Sequence, residues 1–402
     1  MKSRHLISAT FINLLLLLFI SACGSRQPAR DTEALEAPTV PPPEVVSFAA
    51  QPTNTPAPIA PTNTPLPAPI PITPTPTDAP TASPPPEPTP TPDTARAENE
   101  NPLTGLRVDP IVFQRRPLHI RIGNDPAARP QINLSQADVV YEEIVEWWIT
   151  RLTAVYYAKS PEMVAPIRSA RLINTQLTRQ YNAALINSGG SDPVRWQLSQ
   201  LPIVNLDEYF HPDPFFYREG EGWQRRLAVN LVETHAYMEK EEMQSAVELR
   251  GFAFDDTPPA GDIAETIYID YPAKTAKVLW RFNTESKAYE RYVAGEAFLE
   301  GANDQIIAVP NVIIYFAEHY ETDIVEDSTG ATSVGINVNG EGEAWIFRDG
   351  VLVKGRWRSD GSQTPEFINQ DGKPVPLRAG SSWIQVVPTE YKILVNEIPA
   401  GE

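Results

Sequence analysis

The chain has 402 residues, and its 33 lysines and arginines against 51 aspartates and glutamates give a formal net charge of −18 at pH 7. Such an acidic chain is not expected to bind nucleic acid, and a strongly anionic partner would require a local basic site. The single cysteine, Cys23, excludes a disulfide framework, and the five histidines are scattered singly, without the spacing of a zinc site. The sequence predicts no cofactor.

Residues 1–23 are typical of a bacterial lipoprotein signal peptide. Lys2 and Arg4 form a basic start, and the apolar run 12–20 is shorter than the ~20 residues of a membrane-spanning helix. Small residues precede Cys23, where a peptidase would cut; the alternative is an ordinary secretory signal with an incidental cysteine. Lipidation of Cys23, with palmitate among the acyl chains, would hold the protein on the extracytoplasmic face of the cell membrane.

Residues 24–100 contain 22 of the 42 prolines, with threonine and alanine between them. The string PTNTP occurs twice, at 52–56 and 61–65. Because this composition cannot form a packed core, we predict a disordered Pro/Thr-rich linker that extends by up to ~3 Å per residue.

The rest of the chain is long enough for two domains, and the turn-forming stretch DDTPPAGD at 255–262 indicates the boundary between them. In the first domain, 101–254, apolar runs predict strands at 118–122, 138–145, 150–157 and 203–206. Helical patterns predict helices at 172–181, 193–201 and 231–249, the last ended by Gly251. This alternation predicts an α/β domain, an α/β sandwich built on a mixed sheet.

The second domain, 263–402, has short strands and tight turns. Strands are predicted at 266–271, 276–282, 312–318, 344–347, 351–357 and 383–387, and the turn signals are Asn339-Gly340, Asp349-Gly350 and Asp371-Gly372. These features predict a smaller, mainly antiparallel β domain. Its tryptophans (Trp280, Trp345, Trp357 and Trp383) have strand spacing, which favours core packing over a sugar-stacking surface.

The string YEEIVE at 141–146 contains three glutamates. On a continuous strand Glu142 and Glu146 would share a face, and Glu143 would point to the other. Paired carboxylates can bind a divalent cation or act as acid and base, so Asp138 and Glu142 are candidate metal ligands; a solvated strand edge is the alternative. Arg151 begins the next predicted strand, and the hairpin would bring it back towards the glutamates.

A second group of polar residues is predicted at the end of the strands. The string PIRSAR at 166–171 supplies Arg168, Ser169 and Arg171, whose guanidinium groups suit phosphate or carboxylate. The turn INSGGSDP at 186–193 contains Gly189, Gly190 and Ser191 before a predicted helix, where backbone N–H groups can face an anion. With Arg151 these residues form a candidate anion site; arginines paired with Asp138 or Glu142 are the alternative.

Several of these motifs occur in an order that resembles the YerB-like lipoprotein family, whose domain of unknown function carries the number 3048. They are NPLTGL (101–106), RRPLHIRIGNDPAARPQINLSQADVVYEEIVEWWITRLTAVYY (115–157), PIRSAR, GGS, AWIFRDGVLVKGRWRSD (344–360) and VPLRAGSSWIQVVP (375–388). The resemblance implies an N-terminal and a C-terminal family domain after residue 100. The family commonly has glycines where this chain has Trp147 and Trp148, and a Pro-His pair where it has Ala228-Val229. The family has no established reaction, so the resemblance supplies no catalytic residue.

These observations predict a membrane-anchored extracytoplasmic lipoprotein, not an enzyme, that binds an anionic cell-envelope component through the arginines. The order of the elements also resembles that of LytR-CpsA-Psr envelope phosphotransferases. The alternative function is therefore an enzyme that acts on a polymer linked to polyprenyl pyrophosphate, with Asp138 or Glu142 holding a metal. A third possibility is an interaction surface formed by Trp147 and Trp148.

Overall fold

The computed structural model describes residues 96–400. The predicted signal peptide, the lipidation site at Cys23 and nearly all of the predicted linker lie outside this range. Within it, no helix is both long enough and apolar enough to cross a membrane.

Strands dominate the described residues, which contain twenty strands and three α-helices. The helices are α1 Asn174–Gln180, α2 Asp192–Ser199 and α3 Leu231–Lys240. The strands of the first half are β1 Leu118–Gly123, β2 Val139–Ile144, β3 Thr150–Tyr156, β4 Ala184–Asn187, β5 Val204–Asp207, β6 Phe215–Tyr217 and β7 Leu227–Val229. Those of the second half are β8 Asp262–Ile263, β9 Thr266–Ile269, β10 Val278–Asn283, β11 Ala288–Val293, β12 Glu296–Ala297, β13 Ala308–Val309, β14 Asn311–Val325, β15 Thr332–Asn337, β16 Gly340–Arg348, β17 Val351–Ser359, β18 Glu366–Ile368, β19 Ser382–Pro388 and β20 Ile393–Val395.

One large mixed sheet contains strands from both halves of the chain. Its order is β18-β17-β16-β14-β19-β2-β3-β1-β4-β5, with β15 paired to β14 and β8 to β17. Strand β19 runs parallel to β14 on one side and to β2 on the other, so it joins the two groups of strands. A second sheet has the order β12-β11-β10-β9-β20, with β13 paired to β11, and β6 and β7 form a separate hairpin.

The core lies on both faces of the large sheet. On one face, side chains of β1–β3 pack in a single cluster with residues of the second sheet, among them Ile267, Val278 and Trp280. On the other face, Ile173 and Leu177 of the α1 region pack against Val155 and its neighbours. Trp280, Trp357 and Trp383 are buried, in agreement with the core role that their strand spacing favours.

The mixed sheet was expected, but the fold is mostly β, and its three α-helices are shorter than those predicted for an α/β sandwich. The helix predicted at 231–249 ends at Lys240. Gly251 does adopt a positive φ of 66°, but it lies against Pro102 instead of terminating a helix. The helical pattern was extended too far because residues 241–249 supply apolar side chains to packed loops, where tertiary contacts override local propensity.

Candidate functional site

The hairpin between β2 and β3 sets the directions of the three glutamates. Strand β2 ends at Ile144, and Trp147 and Trp148 follow with left-handed backbone angles, φ 65° and 58°. The strand alternation therefore stops before Glu146. As a result Glu142 and Glu146 do not share a face, which corrects the prediction made for a continuous strand: Glu146 contacts Arg171, whereas Glu142 contacts Arg291.

Glu142 lies in the core between the two sheets. Both its side chain and that of Arg291 are fully buried, and Arg291 Nη2 lies 2.8 Å from Glu142 Oε2. The carboxylate also accepts hydrogen bonds from Trp383 Nε1 and Thr150 Oγ1. The Arg291 guanidinium lies 4.3 Å from the centroid of the Trp383 ring. Glu142 is therefore part of a buried polar network in which Arg291 compensates its negative charge.

Asp138 has a different set of partners. It is buried and accepts hydrogen bonds from Asn101 Nδ2 at 2.6 Å and from the backbone N–H groups of Tyr157 and Ala158. Burial raises the pKa of Asp138, and these three hydrogen bonds act in the opposite direction. Asp138 and Glu142 therefore share no partner, and in the range 96–400 no group of three or more His, Cys, Asp or Glu side chains could hold a metal ion.

Arg171 connects two loops. It donates to both oxygens of Glu146, from Nε at 2.8 Å and from Nη2, and its Nη1 lies 3.4 Å from Glu326 Oε2. Although burial acts to lower it, the pKa of Arg171 is raised because Glu146 hydrogen-bonds and attracts the guanidinium. Arg171 therefore has a structural role, and its ion-pair partners are Glu146 and Glu326, not Asp138 or Glu142.

Arg121 is a fourth arginine of this region that the sequence reasoning missed. It is fully buried on β1, where it donates to Glu143 Oε1, to Thr153 Oγ1 and to the Ser169 carbonyl. Burial raises the pKa of Glu143 to about 7, against the attraction of Arg121. Alternation along β1 placed Arg121 on the same face as Gly123, so the strand pattern could have indicated it.

Arg151 is held more loosely than Arg171. Its cross-strand neighbours are Glu143 on β2 and Gly123 on β1, but its nearest carboxylate oxygen is that of Glu146, at 3.5 Å. Its Nη1 lies 3.4 Å from the Ser169 carbonyl oxygen. Burial lowers the pKa of Arg151 to about 9, and repulsion from Arg171 acts in the same direction. Its positive charge is therefore poorly compensated.

Arg168 lies across Gly123. A Cβ at Gly123 would lie 3.0 Å from Arg168 Cγ, so the glycine leaves the space that this side chain crosses. Arg168 donates to the carbonyl oxygens of Ile167 and Gln224, and it lies 5.8 Å from the centroid of the Trp223 ring. Since its hydrogen-bond acceptors are neutral, its charge is not paired with a carboxylate among the described residues. We call Arg121, Arg151, Arg168 and Arg171 the arginine cluster.

The glycine turn lies beside the PIRSAR segment. Ser169 Oγ donates to the Ser188 carbonyl at 2.9 Å, and two backbone bonds join the segments: Ser188 N–H to Arg168 O and Ala170 N–H to Gly189 O. The Gly189 N–H donates to Asp207. Within the range 96–400 the N–H groups of Ser169, Gly190 and Ser191 have no acceptor. The structure therefore places all the predicted anion-site residues in one region.

Helix α2 begins directly after this turn. Ser191 is its N-cap residue, but the side chain caps no backbone group, and its Oγ is buried without a partner among the described residues. The first intrahelical bond runs from Arg195 N–H to Ser191 O. Several donors at the start of α2 are thus available, and helix N-termini favour anions. Asp192 in the first turn partly offsets this preference.

Exposed aromatic rings surround the same region and were not identified from the sequence. Arg195 pairs with Asp207 at 2.9 Å and lies 5.8 Å from the centroids of both Tyr209 and Phe210. Trp223 is 69% exposed, and the guanidinium group of Arg168 lies over its ring. The only sequence signal was the density of aromatic and arginine residues between 195 and 226, which is typical of binding surfaces.

The structure resembles a solved one. The crystal structure of the YerB protein from Bacillus subtilis matches with a TM-score of 0.64 at 24% sequence identity, covering 73% of this chain and 99% of the solved chain. That likeness shows the fold. In sequence, "Putative lipoprotein YerB" from Bacillus subtilis (strain 168) is 28% identical over 296 residues, which are 71% of this chain and 86% of that protein.

Two domains of one family match consecutive parts of the chain. The N-terminal domain described as a protein of unknown function (DUF3048) matches residues 103–253, and the DUF3048 C-terminal domain matches residues 267–384. These ranges contain the arginine cluster and most of the second sheet, whose strand β20 lies beyond residue 384. The chain therefore belongs to the DUF3048 family, as its ordered motifs predicted.

Proposed function

We propose that this protein is a membrane-anchored lipoprotein of the extracytoplasmic face that binds an anionic component of the cell envelope. The binding residues are Arg151, Arg168 and Ser169, together with the turn 188–191 at the start of α2. The lipid anchor would be Cys23, and the linker would hold the domain away from the membrane. The protein acts in this proposal by binding, without catalysis.

The observation that carries the proposal is the charge balance of the arginine cluster. Three of the four guanidinium groups pair with the carboxylates of Glu143, Glu146 and Glu326, whereas Arg168 is attracted by Asp125 without forming an ion pair with it. Burial raises the pKa of Glu143, which disfavours its charged form and so weakens the compensation of the cluster's positive charge. In a chain of net charge −18, this is a local basic site of the kind that an anionic partner requires.

The polar donors beside the cluster suit an oxyanion. Arg151, Arg168 and Ser169 are partly exposed, as is the whole turn 188–191. The free N–H groups of Ser169, Gly190 and Ser191 and the Ser191 hydroxyl can donate to the oxygens of a phosphate or carboxylate, and guanidinium groups add charge-assisted hydrogen bonds. Exposed rings such as Trp223 would contact the apolar or sugar part of such a ligand.

The test compares the two roles that arginines can have here. In the full-length protein, Arg151→Ala combined with Arg168→Ala should weaken binding of poly(glycerol phosphate), measured by titration calorimetry, by roughly tenfold or more. The melting temperature should change little, because neither arginine is strongly paired with a carboxylate. The affinity should also fall with added salt.

Arg356→Ala serves as the matched control, since Arg356 is a half-exposed arginine that pairs with Glu341 away from the cluster. This variant should bind the polymer as the unmodified protein does. Unchanged binding in the double variant, or a large fall in its melting temperature without a change in affinity, would show that Arg151 and Arg168 are structural.

A further inference from the structure

A cavity lies beside Glu146, and Arg171 is not among the residues that line it. It has a volume of about 350 Å³ and lies between the β2–β3 hairpin and the β14–β15 hairpin. Its lining is mixed, with Trp147, Trp148 and Tyr320 supplying aromatic surface, and Glu321, Thr332 and Ser333 among the polar residues. This volume lies within the range of small-molecule sites.

The two tryptophans at its mouth are exposed and conformationally strained. Trp147 is 59% and Trp148 is 57% exposed, so neither contributes much to the core. Both adopt a positive φ, a conformation that is unfavourable for bulky residues by roughly 1–2 kcal/mol each. Exposed tryptophans held in strained conformations contribute little to stability, which points to a binding role.

Trp147 is fixed in position before any ligand arrives. Its Nε1 donates to Asp327 Oδ2 at 3.1 Å, and Asp327 Oδ1 in turn accepts from the backbone N–H groups of Thr329 and Ala331. The turn that contains Asp327 is held from the other side by the Glu326–Arg171 ion pair. The indole face of Trp147 is therefore preorganised, which lowers the entropic cost of binding.

The polar lining of the cavity selects the chemistry of the ligand. Among residues 96–400 no lysine or arginine lines it, and burial lowers the pKa of His319, which supplies the imidazole of the lining, so an anion would meet no cationic side chain there. The negative charge of Glu146 is already compensated by Arg171, so Glu146 is not available to attract a cationic ligand. Flat indole faces beside Glu321, Thr332 and Ser333 match a ring whose C–H face is apolar and whose edge carries hydroxyl groups.

We propose that this cavity binds a neutral sugar ring, stacked on Trp148 and Trp147 and hydrogen-bonded at its edge by Glu321 and the neighbouring hydroxyl groups. The cavity has room for one or two rings of an oligosaccharide. This site is separate from the proposed anion site, since its lining contains none of Arg151, Arg168 and Ser169.

The test uses an array of neutral hexose and N-acetylhexosamine oligosaccharides of two to four rings, followed by calorimetry with the best binder. Trp148→Gly should reduce the affinity for that oligosaccharide roughly tenfold. Because glycine adopts a positive φ without strain, the variant should be as stable as the unmodified protein or more stable. Loss of binding therefore cannot be ascribed to unfolding.

Two further variants complete the design. Trp196→Ala removes a tryptophan that is 64% exposed on α2, outside the cavity, and should leave sugar affinity unchanged. Arg151→Ala with Arg168→Ala should also retain sugar binding, so that failure of the anion site and failure of the sugar site can be told apart. Absence of binding to every neutral oligosaccharide, or equal affinity in Trp148→Gly, would overturn the proposal. So would binding of tetramethylammonium in place of sugar.

Discussion

Arg171 and Glu326 form a buried ion pair, 3.4 Å between Nη1 and Oε2, that joins the PIRSAR segment to the turn between β14 and β15. The Glu326 side chain is fully buried, and its oxygens accept no hydrogen bond from other described residues. The attraction to Arg171 is therefore the main compensation for its burial. Through this pair, a residue in the N-terminal family domain positions a loop that belongs to the C-terminal one.

Glu146 should make the protein sensitive to acid. Burial opposes its ionisation, but the Arg171 hydrogen bond and the charges of Arg151 and Arg171 prevail and lower the pKa of Glu146 to about 2. Because the folded-state pKa is depressed, this stabilisation is complete above the ordinary pKa of 4.5 and is lost as the pH falls from 4.5 towards 2.

Glu146→Gln should therefore lower the free energy of unfolding by roughly 3 kcal/mol at pH 7. The difference from the unmodified protein should shrink between pH 4.5 and pH 2, as measured by urea denaturation at a series of pH values. A difference that stays constant over this interval would mean that Glu146 is not ionised in the folded protein.

The Glu142–Arg291 pair should be strongly coupled. Arg291→Met leaves a buried carboxylate without its cation, and we expect a loss of about 3–5 kcal/mol in the free energy of unfolding. Adding Glu142→Gln should recover part of this loss, because the amide can still accept from Trp383 Nε1. Chemical denaturation of the two single variants and the double variant gives the coupling energy.

The control for this cycle is the half-exposed pair of Arg356 and Glu341. Arg356→Met should cost less than about 1 kcal/mol, as is usual for surface pairs. If Arg291→Met were equally mild, the Glu142–Arg291 ion pair would contribute no more to stability than a surface pair.

Gly251 should tolerate no side chain. Its φ is 66°, and a Cβ there would lie 2.1 Å from the Pro102 carbonyl oxygen. Gly251→Ala should destabilise the fold by about 2–4 kcal/mol in thermal or urea unfolding. Gly220→Ala is the matched variant, because Gly220 has a φ of 76° with no atom of residues 96–400 within 4 Å of the added Cβ, and should cost only about 1 kcal/mol. Equal effects would indicate that Pro102 moves freely.

Asp327 should act on the proposed sugar site by holding Trp147. In Asp327→Asn the oxygen that caps the turn is retained, but the acceptor of the Trp147 N–H is replaced by a donor. We expect the indole N–H resonance of Trp147 to shift and to exchange faster in NMR spectra, and sugar affinity to fall severalfold with little change in stability. If the resonance shifts but the sugar affinity does not change, the hydrogen bond between Trp147 and Asp327 is not required for sugar binding.

The same interaction predicts the pH dependence of sugar binding. The hydrogen bonds from Thr329 and Trp147 lower the pKa of Asp327 to about 2, so its carboxylate stays ionised as the pH is lowered from 7 to 4. Sugar affinity should therefore be nearly constant over that interval in calorimetric titrations. A marked loss above pH 4 would mean that Asp327 does not control the pH dependence and would direct attention to Glu321 and His319, which also line the cavity.

Local chemistry explains which features could be predicted from the sequence. Asp349 and Gly350 both adopt a positive φ, and they form the turn between β16 and β17 that their residue types predicted. The strands β1, β2, β3 and β5 also lie within a few residues of their predicted bounds. Each of these signals depends on residues close together in the chain.

Features that depend on distant residues could not be predicted in this way. The prediction for Glu146 was wrong because β2 ends at Ile144 and Glu146 already belongs to the turn in which Trp147 and Trp148 are left-handed. The partners Arg291 and Glu326 come from the second half of the chain, and no spacing in the first half indicates them. The place of β19 between β2 and β14 was likewise beyond any local pattern.

That place of β19 has a consequence for biogenesis. A chain that emerges from a ribosome or a secretion channel exposes β2 and β14 long before residues 382–388 appear, and both strands then present unpaired edges where the sheet is later continuous. Folding of the large sheet must be late and must close a long loop, which makes it slow. A chaperone that shields open strand edges until residues 382–388 are available would protect this protein, and premature termination before residue 382 would leave a molecule prone to aggregation.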